Sequence, residues 1–252
     1  MLTEERRKQI VSIVNEKKAV TVAELTELLD SSEATIRRDL NALSKASLIN
    51  KVFGGATSLD SSNIKTTEES MQEKARINIE EKDSISKYAA TLINDQDFVF
   101  IDSGTTTLKL IDYITNTNAK YITNGIRHAK KLIDKGCETS ILGGRIKTPT
   151  EAIIGPDCVE SISKYHFTKA FMGTNGIAID AGCTTPDVDE ALVKSVAIKQ
   201  AYITYILADH TKFGQVNAVT FADISKCCII TDKEPAKRYL EKSIVKVVSN
   251  NF

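Results

Sequence analysis

The sequence predicts an α/β chain in two parts: a small helical head closed by a β-hairpin, then a larger domain on a mainly parallel sheet. Three observations carry this. Within the first 58 residues, two short amphipathic helical patterns meet at a three-residue turn and are followed by a Gly-Gly bend. A polar stretch without apolar period comes next. From Asp97 onward, short continuous apolar runs alternate with amphipathic segments, the pattern of strands covered on both faces. The expected divisions are a head over 1–58, a linker over 59–75 and a second domain over 76–252.

In the head, Thr3 opens a helical pattern with Glu4 and Glu5 in its first turn and Ile10, Ile13 and Val14 on its apolar face. After Lys17-Lys18 and a short Ala-Val-Thr-Val segment, residues 23–29 form a second helix anchored by Leu25, Leu28 and Leu29. Residues 30–32 turn the chain into a third helix, which Ser31 and Ser32 are placed to cap. There Ile36, Leu40 and Leu43 recur at i, i+4 and i+7 on one stripe, Ala34, Arg38 and Asn41 face away, and Arg37 lies on the flank. Residues 48–58 read as a strand, a Gly54-Gly55 bend and a return strand.

A helix-turn-helix with a hairpin directly behind it is a winged DNA-binding module. Its second helix packs on one side and offers groups to phosphates and base edges on the other. Ser32, Thr35, Arg37, Arg38 and Asn41, with Lys51 on the hairpin, are the candidate DNA contacts. The plainer alternative for this helix alone is an amphipathic segment with a solvated arginine pair, and for Lys51 a solvated strand lysine.

Bulk charge neither supports nor excludes this. Lys+Arg and Asp+Glu both total 33, and the first 60 residues carry nine bases against nine acids. That balance opposes tight non-specific DNA binding, which scales with the phosphates neutralised. It is compatible with a specific binder that uses a few placed bases and doubles them by oligomerising. No apolar run approaches the roughly 18 residues that span a bilayer, and the N-terminus lacks the apolar core of a signal peptide. The five cysteines show no CxxC spacing, and His128, His166 and His210 show no metal-ligand spacing, so no metal or cofactor is expected. A soluble cytoplasmic protein is the expectation.

From the last residues of the linker onward, residues 72–93 read as one helix, with Lys74, Arg76 and Lys82 on a solvated face. Apolar runs then fall at 98–101, 120–123, 139–142, 169–172, 202–207, 227–230 and 245–248. Ligands in parallel sheets sit beyond the carboxyl ends of the strands, and polar motifs stand there. After the first run comes Asp102-Ser-Gly104-Thr105-Thr106-Thr107, in which Gly104 lets the backbone approach an anion and the threonines donate to it. Thr123-Asn124-Gly125, Leu142-Gly143-Gly144-Arg145, Gly173-Thr-Asn175-Gly176, residues 182–186 and residues 208–214 repeat the theme. Together they suit a hydroxylated anion, with Lys212 and Arg145 as candidate cations for a phosphate. Taken singly, each loop is equally an ordinary capped turn.

Arg6-Arg7, Val22-Ala-Glu-Leu25, Thr35-Ile-Arg-Arg-Asp-Leu-Asn-Ala-Leu43, Phe53-Gly-Gly-Ala56 and the ordered polar loops resemble the DeoR family of bacterial sugar-responsive repressors over nearly the whole chain. The family's usual histidine before Gly-Gly-Ala is Phe53 here, and Ala46-Ser47 stand where a glycine often precedes the wing. The resemblance implies a sensor domain similar in fold to ribose-5-phosphate isomerase. It also implies an effector pocket lined or shaped by Asp102, Gly104, Thr105, Thr106, Thr123, Asn124, Gly143, Gly144, Gly173, Asn175, Gly176, Asp187, Glu190 and Lys212. Glu190 and Lys194, at i and i+4, are alternatively a surface pair. The implied partners are double-stranded operator DNA and a small-molecule sugar phosphate, fructose 1-phosphate or another ketose phosphate, with no membrane partner. A homo-oligomer, dimer or tetramer, is expected, and no catalytic residue. The competing class is a sugar-phosphate isomerase carrying a DNA-binding head, with Asp187, Glu190 and Lys212 as acid-base groups. The resemblance implies a repressor of a sugar-uptake or sugar-catabolism operon released by the sugar phosphate, and activation stays open to the residues themselves.

Overall fold

The computed structural model describes residues 2–58, 64–67 and 70–248. Its contacts divide the chain into two compact units, Met1–Ile64 and Lys65–Phe252.

The first unit runs α1 (Thr3–Lys17), β1 (Ala19–Thr21), α2 (Val22–Leu28), α3 (Glu33–Lys45), β2 (Asn50–Val52) and β3 (Gly55–Thr57). Thr21 starts α2 with a capping box in which its hydroxyl accepts the Glu24 amide and the Glu24 carboxylate accepts the Thr21 amide. Ile10, Val14, Leu25, Ile36, Leu40 and Leu43 close a single core. The hairpin is wider than the sequence suggested, because β1 pairs antiparallel with β3 on the side away from β2. Gly55 permits this: a Cβ there would lie 2.2 Å from the Val20 carbonyl oxygen.

The short strand β4 (Ile64–Lys65) lies at the division, and α4 (Met71–Ala75) occupies the last five residues of the stretch read as linker. The parts of that stretch at 59–63 and 68–69 lie outside the described residues. The single helix expected over 72–93 is two helices, since α5 (Ile79–Ala90) follows only after Asn78 takes a left-handed conformation at φ 52. Asn tolerates that region better than most side chains.

The second unit continues with β5 (Phe98–Ile101), α6 (Thr105–Leu110), β6 (Lys120–Thr123), α7 (Ile126–Asp134), β7 (Glu138–Ile141), β8 (Arg145–Lys147), β9 (Ala152–Ile154) and α8 (Pro156–Ile162). It goes on through β10 (Phe167–Gly173), β11 (Gly176–Ala178), β12 (Gly182–Thr185), α9 (Val188–Lys199), β13 (Ala201–Leu207), β14 (Val216–Asn217), β15 (Val219–Ala222), β16 (Cys228–Thr231), α10 (Lys237–Leu240) and β17 (Ile244–Val247). The seven apolar runs are the seven strands of one sheet, ordered β17-β16-β13-β10-β5-β6-β7. Every neighbouring pair in it is parallel. Alternate residues feed two cores. Phe100, Ile122, Met172 and Ile206 pack with α8 and α9 on one face, while Val99, Ile101, Phe171 and Leu207 pack with α5 and α6 on the other.

The strand order reverses between β5 and β10. From β5 the chain steps outward through β6 and β7; from β10 it steps the other way through β13, β16 and β17. A crevice forms at such a reversal because the connections leave in opposite directions. Residues 182–186, read from the sequence as another loop at this edge, are instead mostly strand β12. That strand pairs antiparallel with β11 and β15 in a small side sheet.

Candidate functional site

On α3, Ile36 and Leu40 are fully buried, while Arg37, Arg38 and Asn41 are exposed. Ser32 caps the helix, accepting the Thr35 amide at 3.3 Å and lying 2.9 Å from the Thr35 hydroxyl. Arg37 is paired along the helix with Glu33 at 3.2 Å. Lys51, from β2, donates to the Asn41 side-chain oxygen at 2.7 Å and so fastens the hairpin to the outer face of α3. Asp39 is buried at 2% exposure, which the stripe pattern did not foresee. Arg6 and Arg7 of α1 reach it at 2.7 and 2.8 Å. Both early arginines are therefore committed to holding α1 on α3. Among the described residues Arg38 makes no ion pair, which leaves it as the free guanidinium of that face.

In the second unit a cavity of about 310 Å³ opens at the reversal point. Asp102 follows β5, and its carboxylate accepts the Gly173 amide, at the end of β10, at 3.0 Å. The same oxygen accepts a hydrogen bond from the Lys194 ammonium of α9, which also donates to the Gly173 carbonyl at 3.1 Å. Both charged groups are buried. Glu190, one turn earlier on α9, is held by Thr150 at 3.1 Å, Thr185 at 3.3 Å and Lys147 at 3.1 Å. The alternative reading of Glu190 and Lys194 as a surface pair fails, because each residue turns to a different partner beneath the helix.

Eight of the expected pocket residues line this cavity: Asp102, Gly104, Thr105, Thr106, Gly173, Asn175, Glu190 and Lys212. The others stand elsewhere. Thr123 accepts the Gly125 amide within its own turn. Asn124 donates to the Ile153 carbonyl, and Gly176 sits inside β11. Gly143 is exposed, and Gly144, at φ +141, packs against β9 where a Cβ would lie 2.7 Å from the Ile154 oxygen. Asp187 caps α9, accepting the Glu190 amide at 2.9 Å. Arg145, a candidate phosphate cation, is instead exposed and bridges to Asp189 at 2.5 Å.

The cavity also draws on Thr150 and Asn78, which sequence reasoning passed over, on Asp209 of the 208–214 loop, and on Lys194 and Lys82, which the sequence suggests as surface residues. Lys82 is buried, not solvated. Its ammonium sits on the carbonyls of Lys74 and Ile77, where α4 runs out and carbonyls lack helical partners. Asn78 donates to the Asp209 carboxylate at 3.0 Å and the Thr211 hydroxyl at 3.3 Å. Among the described residues Lys212 makes no ion pair or side-chain hydrogen bond. An unspent ammonium thus stands in a cavity whose other walls offer hydroxyls, amides and buried carboxylates.

His128 lies behind the Asp102 loop, with Nε2 2.9 Å from the Gly104 carbonyl and 3.2 Å from the Thr107 hydroxyl. Burial pushes its pKa down to about 4, so the ring is neutral and donates through Nε2. His210, Asp232 and Glu81 bring donor atoms within 4.8 Å of one another. Both nitrogens of His210 are already engaged, Nδ1 by Asp232 at 2.7 Å and Nε2 by the Lys233 ammonium at 3.3 Å. A cation at the second nitrogen opposes a metal there. No helix among the described residues is long and apolar enough to cross a membrane.

A winged head with a free arginine on its recognition helix, joined to a parallel α/β domain with a polar cavity at the reversal point, defines a two-part transcriptional regulator. The chain belongs to the DeoR family: the model of the DeoR-like helix-turn-helix domain matches residues 6–62, and that of the DeoR C terminal sensor domain matches residues 77–233. A Bacillus subtilis (strain 168) protein named uncharacterized HTH-type transcriptional regulator FruR is 42% identical over 252 residues, 98% of this chain and 99% of its own length. The lactose phosphotransferase system repressor of Staphylococcus epidermidis is 32% identical over 250 residues, 97% of this chain and 98% of its own. Such relatives carry the names of regulators and repressors, which sets aside the isomerase alternative. The ribose 5-phosphate isomerase A of Methanocaldococcus jannaschii aligns over 52% of this chain and 53% of its own, with 14% identity and a TM-score of 0.39, too distant to bear on function.

Proposed function

We propose that the chain is a cytoplasmic repressor of a sugar-uptake or sugar-catabolism operon, released from its operator when a phosphorylated sugar fills the cavity. The observation that carries the effector class is Lys212: an ammonium without an internal partner, facing the same space as Asp102, Asn175 and Glu190. A phosphate completes the first, and sugar hydroxyls suit the others as charge-assisted hydrogen bonds. The volume fits a single small ligand of this kind. A ketose phosphate such as fructose 1-phosphate is the leading candidate, in keeping with the sugar-related names of the relatives.

The head's balanced charge supports action as a homo-oligomer, dimer or tetramer, that sets two recognition helices on paired half-sites. Swinging such a switch from about 1:99 to 99:1 needs an effector preference of about 5.5 kcal/mol between the two states. A phosphate desolvated against a lysine, with several hydroxyl contacts, is of that order. The test is a thermal-shift screen of the purified chain against a panel of sugar phosphates and their unphosphorylated parents, followed by operator release with each hit. A rise with phosphorylated members alone is expected, since native-state binding raises apparent stability. A panel without any shift overturns the reading.

A further inference from the structure

We propose that Phe53, at the tip of the wing, is an apolar DNA contact that enters the minor groove beside the site read by α3. This rests on the DNA-binding reading of the head and adds a contact of a different physical kind.

Leu2, Leu28 and Leu48 of the head are part-exposed, but Phe53 stands wholly clear of protein at 108% relative exposure. Covering a phenyl ring removes apolar surface from water and is favourable, and the head itself leaves this ring uncovered. The tip is also held in place. Gly54 turns at φ +81, and its carbonyl accepts the Val22 amide at 2.9 Å, while Gly55 lies directly against the Val20 carbonyl. Val52, immediately before the turn, is exposed at 41% and extends the apolar surface.

The occupant follows from the neighbours. From Asn50 to Thr57 the one charged residue is Lys51, so the hairpin carries a cation and no acid to repel phosphates. Lys51 is tied to Asn41 on the outward face of α3, which makes the hairpin continuous with the surface that meets DNA. With α3 in the major groove, an element standing beside it reaches the flanking minor groove. That groove accepts apolar wedges, Phe among them, between or against base steps. The residue thus contributes by shape and desolvation, without neutralising phosphate.

That distinction gives the test. A duplex selected by the full-length chain from a random pool is titrated at several salt concentrations with wild type, Phe53→Ala, Phe53→Trp, Lys51→Ala and Arg38→Ala. Phe53→Ala is expected to weaken binding tenfold or more while leaving the slope of log K against log salt unchanged, because no counterion is released by a phenyl ring. Phe53→Trp should stay within threefold of wild type, and Lys51→Ala should lower the slope by about one. An unchanged unfolding midpoint for Phe53→Ala confirms that the head is intact. Binding within twofold of wild type overturns the proposal, as does a loss accompanied by a change in slope. It is equally overturned if Phe53→Ala abolishes self-association and leaves affinity for DNA alone, which would assign the ring to a second copy. Normal binding by Arg38→Ala would instead fault the reading of α3.

Discussion

The Gly173 amide donates to the Asp102 carboxylate across 3.0 Å, joining the ends of the two strands between which the sheet reverses. The carboxylate is the acceptor for both this amide and the buried Lys194 ammonium. The seam and the cavity wall are therefore one structure, and a change at Asp102 touches both.

Asp102→Asn keeps the shape but strands the Lys194 ammonium at 6% exposure. Breaking a buried pair by removing one partner costs about 3–5 kcal/mol. Urea unfolding of the variant should show a loss of that order, and adding Lys194→Met should recover most of it. A double variant as unstable as the single one would contradict the pairing.

Arg38→Ala and Lys212→Ala should separate the two halves of the switch. The first is expected to lose operator binding and keep the thermal shift with sugar phosphate. The second should bind operator normally, lose the shift, and stay on DNA in the presence of effector. Gel retardation and differential scanning fluorimetry read both; an unaltered effector response in Lys212→Ala would remove it from the site.

Stability should depend on pH through His128. Its native pKa of about 4 lies below the ordinary 6.5, because burial penalises the charged ring. The unfolded chain consequently binds the proton first as pH falls. The term is neutral above pH 6.5 and destabilising below it, at about 1.4 kcal/mol per pH unit, until the native ring protonates near pH 4. His128→Gln should flatten the profile between pH 6.5 and 4 relative to wild type in chemical denaturation. Parallel profiles would show that the ring titrates freely in the native state.

In the head, Asp39→Ala should cost about 3 kcal/mol, the low end for a broken buried pair because Arg7 stays partly in water. Its DNA affinity should recover on cooling or with stabilising osmolyte, which separates a folding role from a contact role. Failure of binding in a fully folded Asp39→Ala head would place the residue at the DNA.

The seven strands could be read from sequence because a doubly covered strand is an unbroken apolar run, visible without knowing its neighbours. The side sheets could not: β8, β11 and β12 are three or four residues long and owe their pairing to tertiary contact. Lys194 illustrates the same limit at the site. Four residues after a glutamate on a helix, it looks like one half of a surface pair, and only the fold reveals that Asp102, 92 positions earlier, waits beneath it. Arg6 and Arg7 stand out in the sequence as a motif, but their purpose depends on Asp39, hidden by its place beside an apolar stripe. The loops after β5, β10 and β13 were legible because strand ends announce themselves chemically. Those after β6 and β7 carry the same residue types and spend them on their own turns.

Asn78 ties the beginning of α5 to the loop that carries Lys212. Met71, Lys74, Ile77 and Asn78, from α4 and the turn that follows it, form part of the cavity wall. A molecule filling that space would touch the junction of α4 and α5. The wall of the cavity is thus made by helix ends as well as by strand ends, so its shape depends on how α4 and α5 meet at Asn78.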